Sequence, residues 1–169
     1  MLVVLSDTHA LDGSSLVGAA ADAVENADLV LHAGDFTTEA VLDSFYDGTD
    51  DFRAVHGNAD SPAVTERLPE ATVLEYEGVR IAATHRRRGG DTGLGMFGRE
   101  RGADLVVSGH THRPRVEAAG EVTLLNPGSH ADPRGARQSF AVLEPQEGGL
   151  SGELRTVGGE TFAQFTVEK

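Results

Sequence analysis

The chain has 169 residues, with 27 Asp and Glu against 14 Lys and Arg, a net charge of −13 and no Cys. The length predicts a single domain over residues 1–169, and the lack of Cys excludes a disulfide framework, a Cys-ligated zinc site and a thiol nucleophile. The acidic balance argues against a broad nucleic-acid surface, because such a surface needs clustered positive charge.

The longest apolar runs have the length of strands and fall far short of a membrane-spanning helix, so we expect no membrane partner. The N-terminus opens into such a run without a basic region or a cleavage signal, which predicts a cytoplasmic protein. Lys169 is the only lysine. An acid excess with so little lysine is typical of proteins from a high-salt cytoplasm, where salt screens self-repulsion. We therefore expect a halophilic protein, with an ordinary acidic protein as the alternative.

The first half of the chain alternates strand-like and helix-like stretches. Apolar runs predict strands over 1–5, 28–32 and 52–55, and helical spacing of apolar residues predicts helices over 16–24 and 39–45. This order predicts a sheet with parallel strands and flanking helices.

The second half reads mainly as strands. A hairpin is predicted from 73–76 and 79–82, a glycine-interrupted helix over 91–101, and a buried strand over 104–107. Further strand pairing is expected between 115–117 and 122–125, and alternation over 139–143, 150–156 and 161–167 predicts antiparallel strands.

Polar side chains follow five of the predicted strands, at the point where each strand ends. The residues are Asp7, His9, Asp35, Asn58, His85, His110 and His112. Because the carboxyl ends of strands line the crevice of an open α/β sheet, we expect these side chains to meet there. Imidazole, carboxylate and carbonyl groups suit divalent metal ions. Seven such ligands are too many for one tetrahedral ion but suit two ions about 3.5–4 Å apart that share a carboxylate.

Glycine precedes Asp35, Asn58 and His110, and we expect it to let the backbone turn sharply away from each strand. The remaining histidines are His32, His56 and His130. A single histidine is more often a core or surface residue than a ligand, so we assign these three to structural positions.

The ordered motifs resemble those of the calcineurin-like metallophosphoesterase superfamily, and most of all its small single-domain phosphodiesterase branch. They are Asp7-Thr8-His9, Gly34-Asp35, Gly57-Asn58-Ala59-Asp60, Thr84-His85 and Gly109-His110-Thr111-His112, with the loop Asn126-Pro127-Gly128-Ser129 and a later Pro133-Arg134. The resemblance implies an α/β fold: a four-layer αββα sandwich of two mixed β-sheets with flanking helices.

The resemblance also implies the ligand sets and the reaction. One ion would be held by Asp7, His9, Asp35 and His112, and the other by Asp35, Asn58, His85 and His110, with Asp35 as the bridge. The implied activity is hydrolysis of phosphodiester bonds in small substrates by a metal-bridging hydroxide, with Asn58, His85 and Asp35 as catalytic residues. We expect manganese, with nickel, iron, zinc or magnesium as alternatives. The sequence leaves a homo-oligomer open.

Two other functions compete with this interpretation. A subunit of the retromer complex shares the implied fold and serves protein binding, so a catalytically weak scaffold is the alternative; a pure scaffold need not keep every ligand. A nuclease of the same superfamily is a third candidate, but the length predicts a single domain and the acidic balance predicts no broad basic face.

The sequence departs from the superfamily pattern in two places. Arg86 stands where relatives often have glycine after His85, and Ala59-Asp60 stands where larger phosphatases carry a histidine that assists the leaving group. The latter makes monoester hydrolysis a poor candidate for the main activity. The run Arg86-Arg87-Arg88 fits either a cationic rim that attracts phosphate or a solvated loop that pairs with nearby acids.

Overall fold

The computed structural model describes residues 1–169 and contains eleven strands and four α-helices. In chain order they are β1 (Leu2–Leu5), α1 (Gly18–Glu25), β2 (Leu29–His32), α2 (Glu39–Asp47), β3 (Phe52–Ala54), α3 (Pro62–Arg67), β4 (Ala71–Tyr76), β5 (Val79–Thr84), α4 (Gly90–Arg99), β6 (Leu105–Val107), β7 (Arg115–Ala119), β8 (Val122–Asn126), β9 (Ser139–Gln146), β10 (Gly149–Thr156) and β11 (Thr161–Glu168).

The strands form two mixed sheets. The first has six strands in the order β11-β10-β9-β1-β2-β3, and the second has five in the order β4-β5-β6-β8-β7. In the first sheet β1, β2 and β3 are parallel, whereas β9, β10 and β11 pair antiparallel. In the second, β5, β6 and β8 are parallel and the two edge strands are antiparallel. Each sheet therefore contains three adjacent parallel strands, whose carboxyl ends lie at the same edge.

The layers follow from which face of each strand is apolar. Leu2, Val4 and Leu31 of the first sheet pack against Ile81 and Leu105 of the second, forming the core between the sheets. A second cluster packs the other face of the first sheet against α1, α2 and α3. A third packs the outer face of the second sheet against α4. This is the predicted four-layer sandwich, and the fold prediction is confirmed.

The predicted elements agree with the structure to within about three residues at each end, apart from one omission. The helix α3, six residues long, was not predicted because it is too short to show a periodic apolar pattern. Its start signal is nevertheless present: Pro62 begins the helix and the Ser61 hydroxyl accepts a hydrogen bond from Val64 N. None of the four helices has the length and apolar character needed to cross a bilayer.

Candidate metal centre

All seven predicted ligands follow the carboxyl ends of parallel strands, at the edge where the two sheets meet. Asp7 and His9 follow β1, Asp35 follows β2, Asn58 follows β3, His85 follows β5, and His110 and His112 follow β6. Only Asn58 and His110 are exposed, and the other five side chains are buried or half-buried. Backbone hydrogen bonds join these loops: Asp7 N donates to Gly34 O at 2.9 Å. The positions of these ligands are therefore fixed by the strands that they follow and by the hydrogen bonds between their loops.

Asp7 is the centre of one group of candidate ligands. Its Oδ1 lies 3.3 Å from His112 Nε2 and 3.8 Å from His9 Nε2. One ligand atom of each of these residues lies within 4.8 Å of the others. The rings of His9 and His112 stack with their centroids 4.9 Å apart. Two imidazoles and a carboxylate thus converge on a space that a cation would fit.

Asp35 connects this group to the opposite side of the site. Its Oδ2 lies 3.2 Å from His85 Nε2 and 3.3 Å from His9 Nε2. Ligand atoms of Asp7, Asp35 and His85 form a second group within 4.8 Å of one another. A single carboxylate oxygen of Asp35 therefore lies between imidazoles of the two predicted ligand sets.

Backbone carbonyls fix the protons of two of these imidazoles. His85 Nδ1 donates to Ala33 O at 2.7 Å, and His112 Nδ1 donates to Asp132 O. The Nε2 atoms of His85 and His112 are buried and have no hydrogen-bond partner. A buried polar atom without a partner is costly. With a proton held on Nδ1, Nε2 is the nitrogen left for a metal ion, which is how metal-ligating histidines are usually oriented. The donor set fits divalent cations.

The charges of the site are strongly coupled. The carboxylates of Asp35 and then Asp7 raise the pKa of His9 to about 9. Burial acts to raise the pKa of Asp35, but the facing imidazoles of His85 and His9 outweigh it and hold that pKa well below its usual range. Burial likewise opposes protonation of His85, yet Asp35 leaves its pKa raised. The buried carboxylates thus favour positive charge on the facing imidazoles, and they would favour a bound cation in the same way.

Hydrogen bonds hold both carboxylates in place. The backbone N–H of His110 donates to Oδ1 and Oδ2 of Asp7 at 3.1 and 3.0 Å, and the Ser6 hydroxyl donates to Oδ2 at 2.7 Å. Asp35 Oδ1 accepts from Ala59 N at 2.8 Å. The orientation of each carboxylate is therefore determined by contacts outside the ligand set.

Asp60 organises the loops around Asp35 as an acceptor. Its Oδ2 accepts from Asp35 N at 3.1 Å and from Gly57 N at 2.7 Å, and its Oδ1 accepts from Thr37 N at 2.7 Å. Both oxygens are thus occupied by backbone donors. Asp60 therefore has a structural role, holding the loops that carry Asp35 and Gly57.

Asn58 and His110 lie in an open cleft of about 920 Å³ beside the buried ligands. It is lined by His56, Gly57, Asn58, Glu70, Thr84, His85, Arg86, Arg87, Arg88 and His110. The ring of His110 meets that of His85 edge to face at 5.4 Å. Burial, followed by the nearby His85 and Arg86, lowers the pKa of His110. The two exposed predicted ligands therefore belong to the solvent-facing side of the site.

Backbone strain is concentrated at the candidate ligands. Five of the nine non-glycine residues with positive φ are in this set, with φ between 43° and 72°: Asp7, His9, Asp35, His110 and His112. Left-handed backbone at non-glycine residues costs of order 1 kcal/mol each and tends to cluster at functional sites. The surrounding hydrogen bonds hold these conformations in place.

The glycines of the site act for two different physical reasons. Gly34 has φ +93°, as the predicted sharp turn requires. Gly57 and Gly109 do not have positive φ; a Cβ at Gly57 would lie 2.1 Å from Asp35 Oδ1, and one at Gly109 would lie 2.7 Å from Asp7 Oδ2. At these two positions glycine is needed for close packing against the carboxylates rather than for a positive φ.

The three histidines assigned to structural positions lie outside the ligand groups. His32 is buried, with Nε2 2.9 Å from Thr8 Oγ1, and Gly34 N donates to its Nδ1 at 3.1 Å. His130 is buried, and its Nε2 lies 3.0 Å from Ser14 O. Burial lowers the pKa of both. His56 is half-buried and lines the cleft.

Several residues that support the site were not among the predicted site residues. Asn126 Nδ2 donates to Gly109 O at 2.7 Å, and the Ser129 hydroxyl donates to Asp7 O at 2.7 Å, so the 126–129 loop holds two ligand loops. The 126–129 loop is one of the motifs that resemble the superfamily, but the sequence alone gives it no role. No sequence signal identifies the Ala33 and Asp132 carbonyls, because every residue carries one.

Comparisons with known proteins agree with the geometry. The family profile described as the calcineurin-like phosphoesterase superfamily domain matches residues 1–148. A probable metallophosphoesterase of Methanocaldococcus jannaschii is 36% identical over 152 residues, covering 87% of this chain and 77% of that protein. One from Methanothermobacter thermautotrophicus is 35% identical over 162 residues, covering 94% and 93%.

Solved structures share the fold over nearly the whole chain. A predicted phosphoesterase of Streptococcus pneumoniae is 29% identical with a TM-score of 0.77, covering 98% of this chain and 96% of that one. Vps29 of Entamoeba histolytica, solved with zinc, is 22% identical with a TM-score of 0.77 and 99% of each chain covered. The second similarity shows the fold alone.

Proposed function

Because this chain belongs to the calcineurin-like phosphoesterase superfamily, we propose that it is a hydrolase that cleaves phosphodiester bonds of small substrates with two divalent ions. One observation carries the proposal. Two buried imidazole nitrogens, Nε2 of His85 and of His112, face carboxylate oxygens at 3.2 and 3.3 Å without a hydrogen-bond partner. Such atoms are stabilised when they coordinate a cation.

The proposed ligand sets share Asp35. One set is Asp7, His9, Asp35 and His112, and the other is Asp35, Asn58, His85 and His110. The position of Asp35 Oδ2, 3.3 Å from His9 and 3.2 Å from His85, supports its role as the bridge. Manganese is the first candidate, with nickel, iron, zinc and magnesium as alternatives, because nitrogen and oxygen ligands accept all of them. Two such ions supply Lewis acidity and a water of lowered pKa.

The chain's own residues position the substrate and hold protons. The carbonyls of Ala33 and Asp132 accept hydrogen bonds from Nδ1 of His85 and His112, so Nε2 of each ring is the atom left to coordinate an ion. Asn58 is exposed in the cleft, and its amide can donate to a phosphoryl oxygen as negative charge develops there. Asp35 is in place before substrate arrives, because Ala59 N holds its Oδ1.

Diester substrates suit the absence of an acid beside Asn58. Ala59 has no proton to give, and both oxygens of Asp60 accept backbone N–H groups. General acid catalysis typically contributes 10²–10⁴ in rate. We therefore expect diesters whose leaving group departs unaided to be the better substrates, with aryl diesters ahead of alkyl diesters and monoesters slower still.

The test removes and restores the ions. After chelation, hydrolysis of bis(p-nitrophenyl) phosphate should stop, and it should return when manganese or another transition metal is added. Asp35→Asn should lower the metal content below two ions per chain and reduce the rate by about 10²-fold or more, because it weakens the shared ligand. Asp47→Asn is the matched control, since Asp47 is exposed at the end of α2. Full occupancy and full rate in Asp35→Asn would refute the two-ion proposal.

A catalytically weak scaffold with this fold is the alternative function. The retention of all seven predicted ligands and the orphaned nitrogens of His85 and His112 argue for the enzyme. The same assay separates the two: two bound ions without hydrolysis of any diester would favour the scaffold.

A further inference from the structure

Three consecutive arginines, Arg86, Arg87 and Arg88, lie on the rim of the cleft that also contains Asn58 and His110. They are three of only 14 basic residues in a chain with a net charge of −13. A run of positive charge in so acidic a chain needs a physical explanation. The three side chains have different surroundings.

Arg87 is anchored to the protein. Its guanidinium carbon lies 4.4 Å from the centroid of the Phe97 ring, and its Nη1 lies 3.6 Å from Glu70 Oε1. A cation–π contact and an ion pair together restrict the side chain. Arg87 therefore fixes the loop and matches the expectation of pairing with a nearby acid.

The backbone of the loop is also held. A Cβ at Gly93 would lie 2.0 Å from the carbonyl oxygen of Arg88, so this carbonyl packs directly against the first turn of α4. Gly89, which precedes that helix, has φ +88°, a conformation that favours glycine. Arg86 and Arg88 thus extend from a loop whose path is set by packing.

Arg86 and Arg88 carry charge that no acidic side chain neutralises. Since Lys169 is the only lysine, thirteen of the 14 basic residues are arginines. Nine arginines have an acidic oxygen within 4.0 Å. Arg86 and Arg88 do not, and both are exposed. Two fork-shaped donors without a partner are suited to bind phosphate.

Their position separates them from the reacting phosphate. His85, which immediately precedes Arg86, is 4% exposed and lies at the floor of the cleft with the carboxylates. Arg86 and Arg88 are at the rim, where they can meet a group attached to the substrate farther from the floor. The three arginines form a short run in a chain with a net charge of −13, which suits a small molecule better than a nucleic-acid strand.

We propose that Arg86 and Arg88 bind a second phosphate carried on one substituent of the scissile phosphodiester. The preferred substrates are then small phosphodiesters with an additional phosphate. This inference rests on the proposed phosphodiesterase function and adds the class of substrate. Arg86 and Arg88 determine specificity, while the buried ligands serve the reaction.

Two esters with the same leaving group test the inference: thymidine 5′-(p-nitrophenyl phosphate) and its 3′-phosphorylated form. The ratio of their kcat/KM values should favour the 3′-phosphorylated ester about tenfold in the manganese-loaded protein, the scale of a charge-assisted hydrogen bond at a surface. Arg86→Ser/Arg88→Ser should bring the ratio to about one. Arg88→Ser alone should lower the ratio by a smaller factor, and it replaces the double variant if that protein folds poorly. Arg113→Ser is the matched control, because Arg113 is exposed, has no acidic partner and does not line the cleft; it should keep the ratio.

Calorimetry separates failure of this inference from failure of the proposed function. Thymidine 3′,5′-bisphosphate should bind the manganese-loaded protein about tenfold more tightly than thymidine 5′-monophosphate, and the double variant should lose this difference. Hydrolysis of both esters with a ratio near one in the wild type would overturn the inference and leave the proposed function standing. Arginine-dependent binding without hydrolysis of either ester would support the anion site and overturn the enzyme. Faster cleavage of single-stranded oligothymidylate than of the 3′-phosphorylated ester would overturn the assignment to a small substrate.

Discussion

Replacing Gly109 by alanine tests whether close packing sets the site. The added Cβ would lie 2.7 Å from Asp7 Oδ2, 3.0 Å from Ser6 Cβ and 3.1 Å from His85 Nδ1. Ordinary contacts begin near 3.4 Å, so the Asp7 carboxylate must move by about 0.7 Å or Gly109 must retreat. Asp7 cannot move freely, because the Ser6 hydroxyl and His110 N hold it.

The cost follows from the two ways of relieving this overlap. Overpacking a dense interior costs about 1–3 kcal/mol, and losing one hydrogen bond to a charged group costs about 1.5–3 kcal/mol. We expect Gly109→Ala to lower the free energy of unfolding by about 2–4 kcal/mol, which lowers Tm by about 5–15 °C in a chain of this size.

Urea and thermal unfolding in the presence of a chelator measure this change without a contribution from metal. Gly158→Ala is the matched control: Gly158 is exposed, does not have positive φ, and its added Cβ would lie 3.7 Å from Thr156 Oγ1. It should change the free energy of unfolding by less than about 1 kcal/mol. Added manganese should then raise the Tm of the wild type more than that of Gly109→Ala, because Asp7 and His85 are displaced.

Two results would refute the reasoning. If Gly109→Ala unfolded within about 0.5 kcal/mol of the wild type, the contacts at Gly109 would not be tight. If its stability fell but manganese stabilised both proteins equally, Asp7 and His85 would not be metal ligands.

Three further predictions concern salt, pH and the leaving group. Raising potassium chloride from about 0.1 to 1 M shortens the screening length from about 10 to about 3 Å, so Tm should rise for a chain with a net charge of −13; an unchanged Tm would contradict the halophilic interpretation. Burial lowers the pKa of His130, so the unfolded chain binds a proton below about pH 6.5 that the folded chain refuses, and stability is lost as pH falls. Between pH 7.5 and 5.5, in chelator, the wild type should lose more stability than His130→Phe; equal losses would show that burial does not suppress the protonation of His130. Turnover should fall steeply as the leaving group becomes more basic, and Ala59→His should flatten this dependence. Asp60→Asn should weaken the loop and leave the slope unchanged; a steeper slope in Asp60→Asn would identify Asp60 as the acid.

The sequence predicted the strands and helices because their periodic signals are strong and local, whereas the four-layer arrangement was implied only by the motifs that resemble the superfamily. Apolar runs mark β1, β2 and β6, whose residues are buried on both faces, and the polar residues that follow them mark the strand ends. The helix α3 was not predicted because six residues are too few to show a periodic apolar pattern.

Residue types and order could also predict the ligand candidates, but not their surroundings. The motifs identified Asp35 and His85 as members of one set, whereas the 3.2 Å approach of Asp35 Oδ2 to His85 Nε2 arises from two sheets that meet at one edge. The reason for glycine at 57 and 109 is likewise tertiary, because it depends on how near the carboxylates of Asp35 and Asp7 come.

The sequence by itself determined which side chains end the strands, because strand formation is decided by local apolar patterns and each polar residue directly follows one. Only the tertiary structure decided that Nδ1 of His85 and of His112 carries a proton. This depends on the carbonyl of Ala33, 52 residues from His85, and on that of Asp132, 20 residues from His112. The tertiary structure also decided which arginines have a partner. Phe97 and Glu70 restrain Arg87, whereas Arg86 and Arg88 have no acidic partner. Contacts between residues distant in sequence form only when the sheets pack, and no local pattern encodes them.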